Sequence, residues 1–468
     1  MMRSLNTSAA GGGGGGHEQE EEEPSSATDL HYQQQPSHSS TPATAIHMRQ
    51  LLISCAELVS HSDFSAADRL ISILSANSSP YGDSTERLVH QFIRALSLRL
   101  NRHHHASATA GFMMNLITTT TSTNTSSVPA AVTYDSSSSS ALQTCYLSLN
   151  QITPFIRFSH LTANQAILEA IQVGQHQSIH ILDFDIMHGV QWPPLMQALA
   201  ERYSDNTLGH PPPMLRITGT GHDLDILHRT GDRLLMFAQS LGLRFQFHPL
   251  LLLNDDPTSI ALYLSSSLSL LPDEALAVNC VLYLHRLVKD DSRDLRLFLH
   301  KIKALNPTVV TIAEREANHN QPVFMRRLVE ALDHYTAIFE SLEATLPPNS
   351  KERLAVEQIW FGREIMDIVG AEGENRRERH EKLETWEVML RSSGFANVPL
   401  SPFALSQAKL LLRLHYPSEG YQLQILNKSF FLALPSAKLH YRSSTLLVAA
   451  CLLHRAPDQL VLSRGAET

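Results

Sequence analysis

The sequence has few of the residues on which metal modules and disulfide scaffolds depend. Its four cysteines stand far apart, with no Cys-x-x-Cys pair, at Cys55, Cys145, Cys280 and Cys451. This spacing supports neither a zinc module nor a disulfide framework, and it indicates a reducing compartment. Long apolar runs are also lacking. The longest late apolar run, residues 446–453, is far shorter than the roughly 20 residues needed to cross a bilayer. The first residues contain no apolar stretch of signal-peptide length, so we expect neither secretion nor membrane attachment.

Basic residues are outnumbered by acidic ones. The 468 residues include 37 Lys and Arg against 46 Asp and Glu, which gives a formal net charge of −9. A protein that coats nucleic acid needs clustered cations to displace counterions from phosphate, so we expect any contact with DNA to be indirect. One short basic run, residues 376–380 (RRERH), is more typical of a helix surface than of a nuclear import or DNA-binding element.

The common catalytic motifs are missing as well. There is no Gly-x-Ser-x-Gly elbow, no phosphate loop ending in Gly-Lys-Ser/Thr and no His-Glu-x-x-His pair. The triple histidine at residues 103–105 has no carboxylate or thiolate near it in the sequence, so we interpret it as a solvated loop. The sequence therefore predicts a protein that is not an enzyme and that carries no cofactor or metal ion.

What the chain does contain is enough apolar sequence for a large core, interrupted by stretches that cannot fold. Residues 1–45 combine six consecutive glycines with acidic and Ser/Pro/Gln-rich sequence, which predicts a disordered arm. Residues 46–175 predict a helical cap, with a disordered His-, Thr- and Ser-rich insert at residues 103–140.

Within the cap, apolar residues recur at three- and four-residue spacing between residues 88 and 100, which predicts a helix with one buried face. Asp83 and Glu86 precede it at the spacing of a capping box. We interpret Leu88, Phe92, Leu96 and Leu100 as a candidate partner-binding face. The alternative, which we favour for most of them, is that these residues are simply the core of the cap.

From residue 176 to residue 432 the pattern alternates between strands and helices. Five short apolar runs (179–184, 215–219, 245–250, 276–284 and 308–313) are separated by helical stretches. This predicts an α/β fold: a Rossmann-type, methyltransferase-like core with a mostly parallel sheet and helices on both faces, joined to an N-terminal α-helical cap. Runs at residues 421–426 and 429–434 predict a closing antiparallel hairpin.

Polar groups and glycines follow the predicted strands, where open α/β sheets bind their ligands. An adenosyl cofactor requires a glycine-rich turn after the first strand and an acid at the end of the second. The turn after the first strand has one glycine, Gly189. At the end of the second strand, Gly219 and Gly221 stand where the acid would be. We therefore favour a structural role, in which Asp183 and Glu314 bond loop amides, over a surviving cofactor crevice. The candidate crevice residues are Ile179, His180, Ile181, Leu182, Asp183, Asp185, Gly189, Gln191, Trp192, Gly219, Gly221 and Glu314.

Taken together, several stretches resemble the plant GRAS family of transcriptional regulators, from about Arg49 to Leu432. Residues 49–74 are similar to the family's first leucine-rich region, and residues 179–183 (IHILD) stand where the family has Val-His-Ile-Ile-Asp. Residues 306–347 and 361–373 resemble its later blocks, named for Pro, Phe-Tyr and Arg-Glu. The amino-acid sequence of the first region is similar to that of the lateral-suppressor, or Scarecrow-like, subgroup.

The resemblance implies a nuclear regulator of plant development. It implies action through contacts with other transcription factors and with other GRAS proteins, as a homo- or heterodimer. For this subgroup it implies a role in axillary meristem initiation and shoot branching. The alternative function is a methyltransferase-like small-molecule-binding protein or enzyme that retains the crevice at the strand ends.

The end of the chain departs from the family pattern. The family closes with tryptophan-bearing sequence, but no tryptophan follows Trp386 here. We interpret residues 433–468 as an atypical C-terminal tail that arises from a frame shift or a retained intron. We therefore expect the sheet to lack its last native strand.

Overall fold

In a computed structural model of the chain, the described residues begin with helices α1 (Pro42–Ser60), α2 (Phe64–Ala76), α3 (Ser84–His104) and α4 (Ser136–Ile152). Two predicted boundaries differ, since residues 42–45, assigned to the arm, open α1, and residues 136–140, assigned to the insert, open α4. Most of the arm and of the insert lies outside the described residues. The structure describes residues 42–104, 136–171, 176–204, 212–416, 421–426, 428–434 and 444–453.

Helix α3 begins at the capping box that the sequence predicts. The Asp83 carboxylate accepts a hydrogen bond from the Glu86 amide at 3.0 Å. The Glu86 carboxylate in turn accepts one from the Asp83 amide. Each side chain thus satisfies a free backbone donor of the first turn, which fixes the start of the helix.

Replacing Asp83 by alanine should lower the free energy of unfolding by about 1 kcal/mol, because the first turn of α3 loses its acceptor. Chemical denaturation of the two proteins would measure this. Asp232→Ala is the matched control, since Asp232 is exposed in the middle of a helix and its loss should change stability by less than about 0.5 kcal/mol. Equal effects of the two substitutions would contradict a capping role.

The centre of the fold is a sheet of five parallel strands: β1 (Ser178–Phe184), β2 (Met214–Gly221), β3 (Phe245–Leu251), β4 (Glu274–Val281) and β5 (Val309–Glu314). Their spatial order is β3-β2-β1-β4-β5. All five follow the predicted runs. From β1 the chain adds β2 and β3 on one side and then β4 and β5 on the other, as in Rossmann-type folds, so β1 lies at the centre. The predicted α/β class is confirmed.

Helices cover both faces of the sheet because residues along each strand alternate between two cores. Ile179 and Ile181 of β1 pack with α5 (Pro154–Ala170), α6 (Trp192–Ser204) and α7 (Leu224–Ser240). Leu182 and Phe184 pack on the other side with α8 (Pro257–Ser267), α9 (Arg293–Ala304) and α13 (Leu383–Ser392). Burial on both faces explains why the strands are apolar almost throughout.

The cap is not built from N-terminal helices alone. After β5 come α10 (Phe324–Thr345), α11 (Lys351–Ala355) and α12 (Gly362–Ile365), with π-helical segments at Val356–Phe361 and Met366–Gly370. Their apolar side chains share one core with α1, α3 and α4. Helix α5, assigned to the cap by sequence, packs in both cores: Phe155 and Phe158 lie in the cap core, and Ile167 packs on the sheet. Among the described helices, none is both long and apolar enough to cross a membrane.

The sheet is completed by antiparallel strands, of which all but β6 (Ala396–Asn397) follow α14 (Pro402–His415). Strands β7 (Gln422–Leu426) and β8 (Ser429–Leu434) form the predicted hairpin, and β6 is a short addition. Strand β9 (Ser444–Leu453) lies between β5 and β8 and is antiparallel to both.

Strands β8 and β9 bear on two expectations about the end of the chain. We expected the sheet to lack its last native strand, and in the structure a segment of the tail occupies the position beside β5. The physical reason is that an unpaired edge leaves backbone donors and acceptors open to any extended segment. The predicted core boundary at residue 432 also falls inside β8. The proposed origin of the tail stays a prediction.

Candidate functional site

The family-like signature at residues 179–183 forms the central strand, and each of its side chains is buried. Ile179, Ile181 and Leu182 serve the two cores described above. The imidazole of His180 lies 2.8 Å from the hydroxyl of Thr218 and 3.3 Å from the carboxylate of Glu274. Burial lowers its pKa to about 4. These four residues hold the sheet together and do not line an open crevice.

Asp183 ends this signature as the acceptor of two buried side-chain donors. Asn279 Nδ2 donates to its Oδ1 at 2.7 Å, and Trp192 Nε1 donates to its Oδ2 at 2.8 Å. Burial raises the pKa of Asp183 to about 7, against the effect of these two bonds. The predicted role was structural, and the partners are side chains and not loop amides. Asp183 fixes the first turn of α6 against β4.

Gln191 extends the same network across the strand ends. Its side-chain amide exchanges hydrogen bonds with that of Asn279, at 3.1 Å in each direction. Asn164 on α5 donates to the Gln191 carbonyl at 2.8 Å, and Thr311 on β5 donates to Asn279 Oδ1 at 2.8 Å. The network thus ties α5, α6, β4 and β5 together with the chain's own groups.

The turn after β1 is built on three left-handed residues. Asp185, Met187 and Gly189 have φ values of 61°, 51° and 65°. The amide of Asp185 donates to Thr220 Oγ1 at 2.9 Å, and its carboxylate pairs with Arg286 at 2.5 Å. A Cβ at Gly189 would come 2.9 Å from the methyl of Thr230, so a side chain there would push α7 away. The single glycine therefore serves close packing and not a phosphate cradle.

The glycines at the end of β2 also make room for packing. A Cβ at Gly219 would lie 2.8 Å from Ile186 Cδ1, and one at Gly221 would lie 3.2 Å from Leu227 Cδ2. Ile186 thus covers Gly219, the residue that stands where a ribose-binding acid was sought. The space next to the strand end is filled by an apolar side chain of the turn itself.

Glu314, at the end of β5, behaves as the sequence predicts. Its Oε1 accepts three backbone amides, those of Tyr283, Leu284 and His285, at 3.1, 2.7 and 3.3 Å. Its Oε2 lies 2.7 Å from His285 Nδ1. Glu314 therefore caps the turn that follows β4, and its buried carboxylate is already saturated with donors.

With this geometry in place, comparison with known proteins settles the family. The sequence matches the GRAS domain family over residues 48–444, which is most of the chain. This chain belongs to the GRAS domain family. The resemblance drawn from the motifs is thereby confirmed, and the crevice described above is that of a GRAS domain.

Two curated plant proteins are similar to this GRAS chain over most of their length. Scarecrow-like protein 18 of Arabidopsis thaliana is 54% identical over 405 residues, which cover 85% of this chain and 91% of that protein. Protein MONOCULM 1 of rice, Oryza sativa, is 45% identical over 405 residues, covering 82% and 85% respectively. The name of the first agrees with the predicted Scarecrow-like subgroup.

A solved structure supports the fold. The crystal structure of SCL7 from Oryza sativa shares 33% sequence identity and superposes with a TM-score of 0.66. The match covers 86% of this chain and 99% of that chain.

The candidate partner-binding face of this GRAS chain is not on its surface. Leu88, Phe92, Leu96 and Leu100 expose 6, 0, 0 and 2% of their area. The first three pack in the core shared with α1, α10 and the helices that follow it, and Leu100 packs with Val59 and Ala67. The partner-binding prediction for these four residues is wrong for the folded chain, because the face that the periodicity identified is the one that the later helices cover.

The basic run at residues 376–380 is neither a helix surface nor a free patch. It lies in the loop before α13, and Arg376 and Arg379 are buried. Arg376 donates to the His319 carbonyl at 2.6 Å, and Arg379 pairs with Asp290 at 2.6 Å. Arg377 lies 3.5 Å from Asp255. Its cations are used inside the protein, so the run does not supply a DNA-binding surface.

Sequence reasoning missed a buried histidine cluster beside Glu314. His285 lies between the carboxylates of Glu314 and Glu378, at 2.7 and 3.1 Å. Burial opposes its charge, but the two carboxylates outweigh that effect and raise its pKa to about 9. The rings of His285 and His380 stack with centroids 4.3 Å apart. One signal was present: His285 and Glu314 follow adjacent parallel strands, whose ends meet at one edge.

Proposed function

We propose that this chain is a nuclear transcriptional regulator that acts through contacts with other proteins and not through catalysis. Its partners are other transcription factors and other GRAS proteins, in homo- or heterodimers, and its contact with DNA is indirect. We also propose that it acts in axillary meristem initiation and shoot branching. The similarity to Protein MONOCULM 1 of Oryza sativa supports this finer role.

The proposal that the chain is not a catalyst rests on one observation: the crevice at the strand ends is filled by the chain's own side chains. Asp183 is bonded to Trp192 and Asn279, and Ile186 covers Gly219. A cofactor would have to displace these groups and leave buried donors without acceptors, which costs about 1–3 kcal/mol for each group. The crevice has become part of the scaffold.

Purified full-length chain titrated with S-adenosylmethionine in a calorimeter should give no saturable heat, because the groups that would hold the ligand are already bonded to one another. Saturable binding at micromolar concentration that is lost on Asp183→Ala and kept on Asp225→Ala would overturn the non-catalytic proposal. Asp225 is the matched control because it is an exposed carboxylate in the first turn of α7, the helix that follows the neighbouring strand β2. Methyl transfer by the purified chain would favour the methyltransferase-like alternative instead.

The proposed contacts with transcription factors and GRAS proteins need a separate experiment. Proximity labelling from the full-length chain in plant nuclei should recover transcription factors and GRAS proteins above a matched nuclear control. Because Leu96 is fully buried, Leu96→Asp should lose these partners together with its fold. A Leu96→Asp chain that unfolds yet keeps the same partners would show that they bind outside the GRAS domain.

A further inference from the structure

The histidine cluster brings together donor atoms from separate parts of the chain. His285 stands in the 3₁₀ turn Leu284–Leu287 after β4, and Glu378 and His380 stand in the loop before α13. One ligand atom from each of these three residues lies within 4.8 Å of the other two. His285 and His380 are buried and Glu378 is nearly so. None of the three belongs to the Asp183 network.

The spacing of these atoms matches the shell of a small divalent cation. His285 Nε2 lies 3.1 Å from Glu378 Oε2, and His380 Nε2 lies 3.5 Å from the same oxygen. Zinc ligands at about 2.0–2.2 Å in tetrahedral geometry are separated from one another by about 3.4 Å. The two distances bracket this value. Two imidazoles and a carboxylate are also a ligand set that zinc uses in proteins.

The groups behind the donor atoms are oriented as a metal site requires. His285 Nδ1 lies 2.7 Å from Glu314 Oε2, so a proton on Nδ1 is held there and Nε2 faces Glu378. A carboxylate behind a histidine in this way fixes the ring and strengthens it as a ligand. His380 Nδ1 lies 3.0 Å from His319 Nδ1, which likewise leaves Nε2 of His380 as the inward atom.

A buried polar atom points into the same space. Among the described residues, Nε2 of His380 has no hydrogen-bond partner, although the residue is only 1% exposed. Buried polar atoms are nearly always paired, so an unpaired one facing a carboxylate and a second imidazole calls for a ligand. Because the two imidazoles are stacked, His380 must turn its ring towards Glu378 for both lone pairs to meet at one ion.

We propose that His285, Glu378 and His380 bind one divalent transition-metal ion of the zinc type. The ion would join the turn after β4 to the loop before α13. Three protein ligands leave one coordination position for water.

The test uses the full-length chain in a background with His103→Ala, His104→Ala and His105→Ala, which removes a competing run of histidines. After treatment with a chelator, the protein is titrated with Zn²⁺ and, as a spectroscopic probe, Co²⁺. We expect one ion per chain, intense visible Co²⁺ absorption and a rise in the thermal midpoint with Zn²⁺, because an ion that binds only the folded state stabilises it.

Variants separate this site from adventitious binding. Loss of an outer-shell partner weakens metal binding by roughly 10- to 100-fold. Glu378 and His380 are proposed as direct ligands, so Glu378→Gln and His380→Gln should each weaken binding by more than that. His334→Gln is the matched control, since His334 is buried in the same cluster without being one of the three ligands. It should keep one ion with unchanged affinity.

Two outcomes would overturn the proposal. One is a folded parent chain that takes up no ion and whose thermal midpoint is unmoved by Zn²⁺. The cluster would then be an ion-free network in which a charged His285 bridges Glu314 and Glu378. The other is equal binding by the parent, Glu378→Gln and His380→Gln proteins. The parent titration alone decides the first outcome, so a variant that fails to fold does not block the test.

Discussion

Replacing Arg87 by methionine should destabilise the fold by about 3–5 kcal/mol, the cost of leaving one partner of a buried ion pair behind. Arg87 on α3 donates to Glu357 twice, from Nε at 2.7 Å and from Nη2 at 3.1 Å. The two side chains are 2% and 1% exposed. Without the guanidinium, the Glu357 carboxylate is buried with its two strongest donors gone. Chemical denaturation followed by circular dichroism would measure the loss.

Two controls isolate the cause of that loss. The double variant Arg87→Met with Glu357→Leu removes both charges and should recover much of the stability, because an apolar pair can replace a buried ion pair at little cost. Arg69→Met, at an exposed position on α2, should stay within about 0.5 kcal/mol of the parent. If the double variant were as unstable as Arg87→Met, the effect would come from lost packing or from the other partners of Arg87.

The Arg87 pair also shows why the sequence analysis assigned only N-terminal helices to the cap and missed those that follow β5. Periodicity identified the buried face of α3, since the repeat is local and depends only on helix geometry. It could not identify what covers that face. The partner of Arg87 lies 270 residues away, in a π-helical segment after β5. The same limit explains why Leu96 was kept as a candidate partner-binding residue.

The strand ends illustrate the opposite case. Parallel strands place their carboxyl ends at one edge, so Asp183, Glu314 and the glycines of β2 could be grouped from sequence alone. The absence of a glycine cradle favoured a structural role, and the hydrogen bonds of Asp183 and Glu314 agree with that prediction. What sequence could not supply was the identity of the partners. Asn279 stands beside Asp183 through the pairing of β4 with β1. Gln191 and Asn164 join the network only through the packing of α5 and of the turn before α6 on the sheet.

Charged runs were the least predictable feature. The run at residues 376–380 has the composition of an exposed helix, yet its cations are paired with groups from other segments. Asp290, which pairs with Arg379, lies 89 residues earlier in the chain. Such long-range pairing leaves no local pattern, and the histidine cluster escaped detection for the same reason.

Replacing Trp192, the first residue of α6, by alanine should cost about 3–5 kcal/mol, because its ring is fully buried in the core on that face of the sheet. Trp192→Phe separates the hydrogen bond from the packing. Phenylalanine keeps most of the apolar volume but leaves Asp183 Oδ2 without its indole donor. We expect Trp192→Phe to lose about 1–3 kcal/mol, the cost of an unsatisfied buried acceptor. Denaturant midpoints of the two variants would give both values.

Trp386→Phe is the matched control for the hydrogen bond. Trp386 is 3% exposed, and among the described residues its indole nitrogen has no hydrogen-bond partner. The substitution therefore removes a similar volume from a buried site without breaking a bond, and it should be the milder of the two. If Trp192→Phe were no more damaging than Trp386→Phe, the bond to Asp183 would not stabilise the fold. Asp183 would then be held by Asn279 alone, and the case against a working crevice would lose one of its supports.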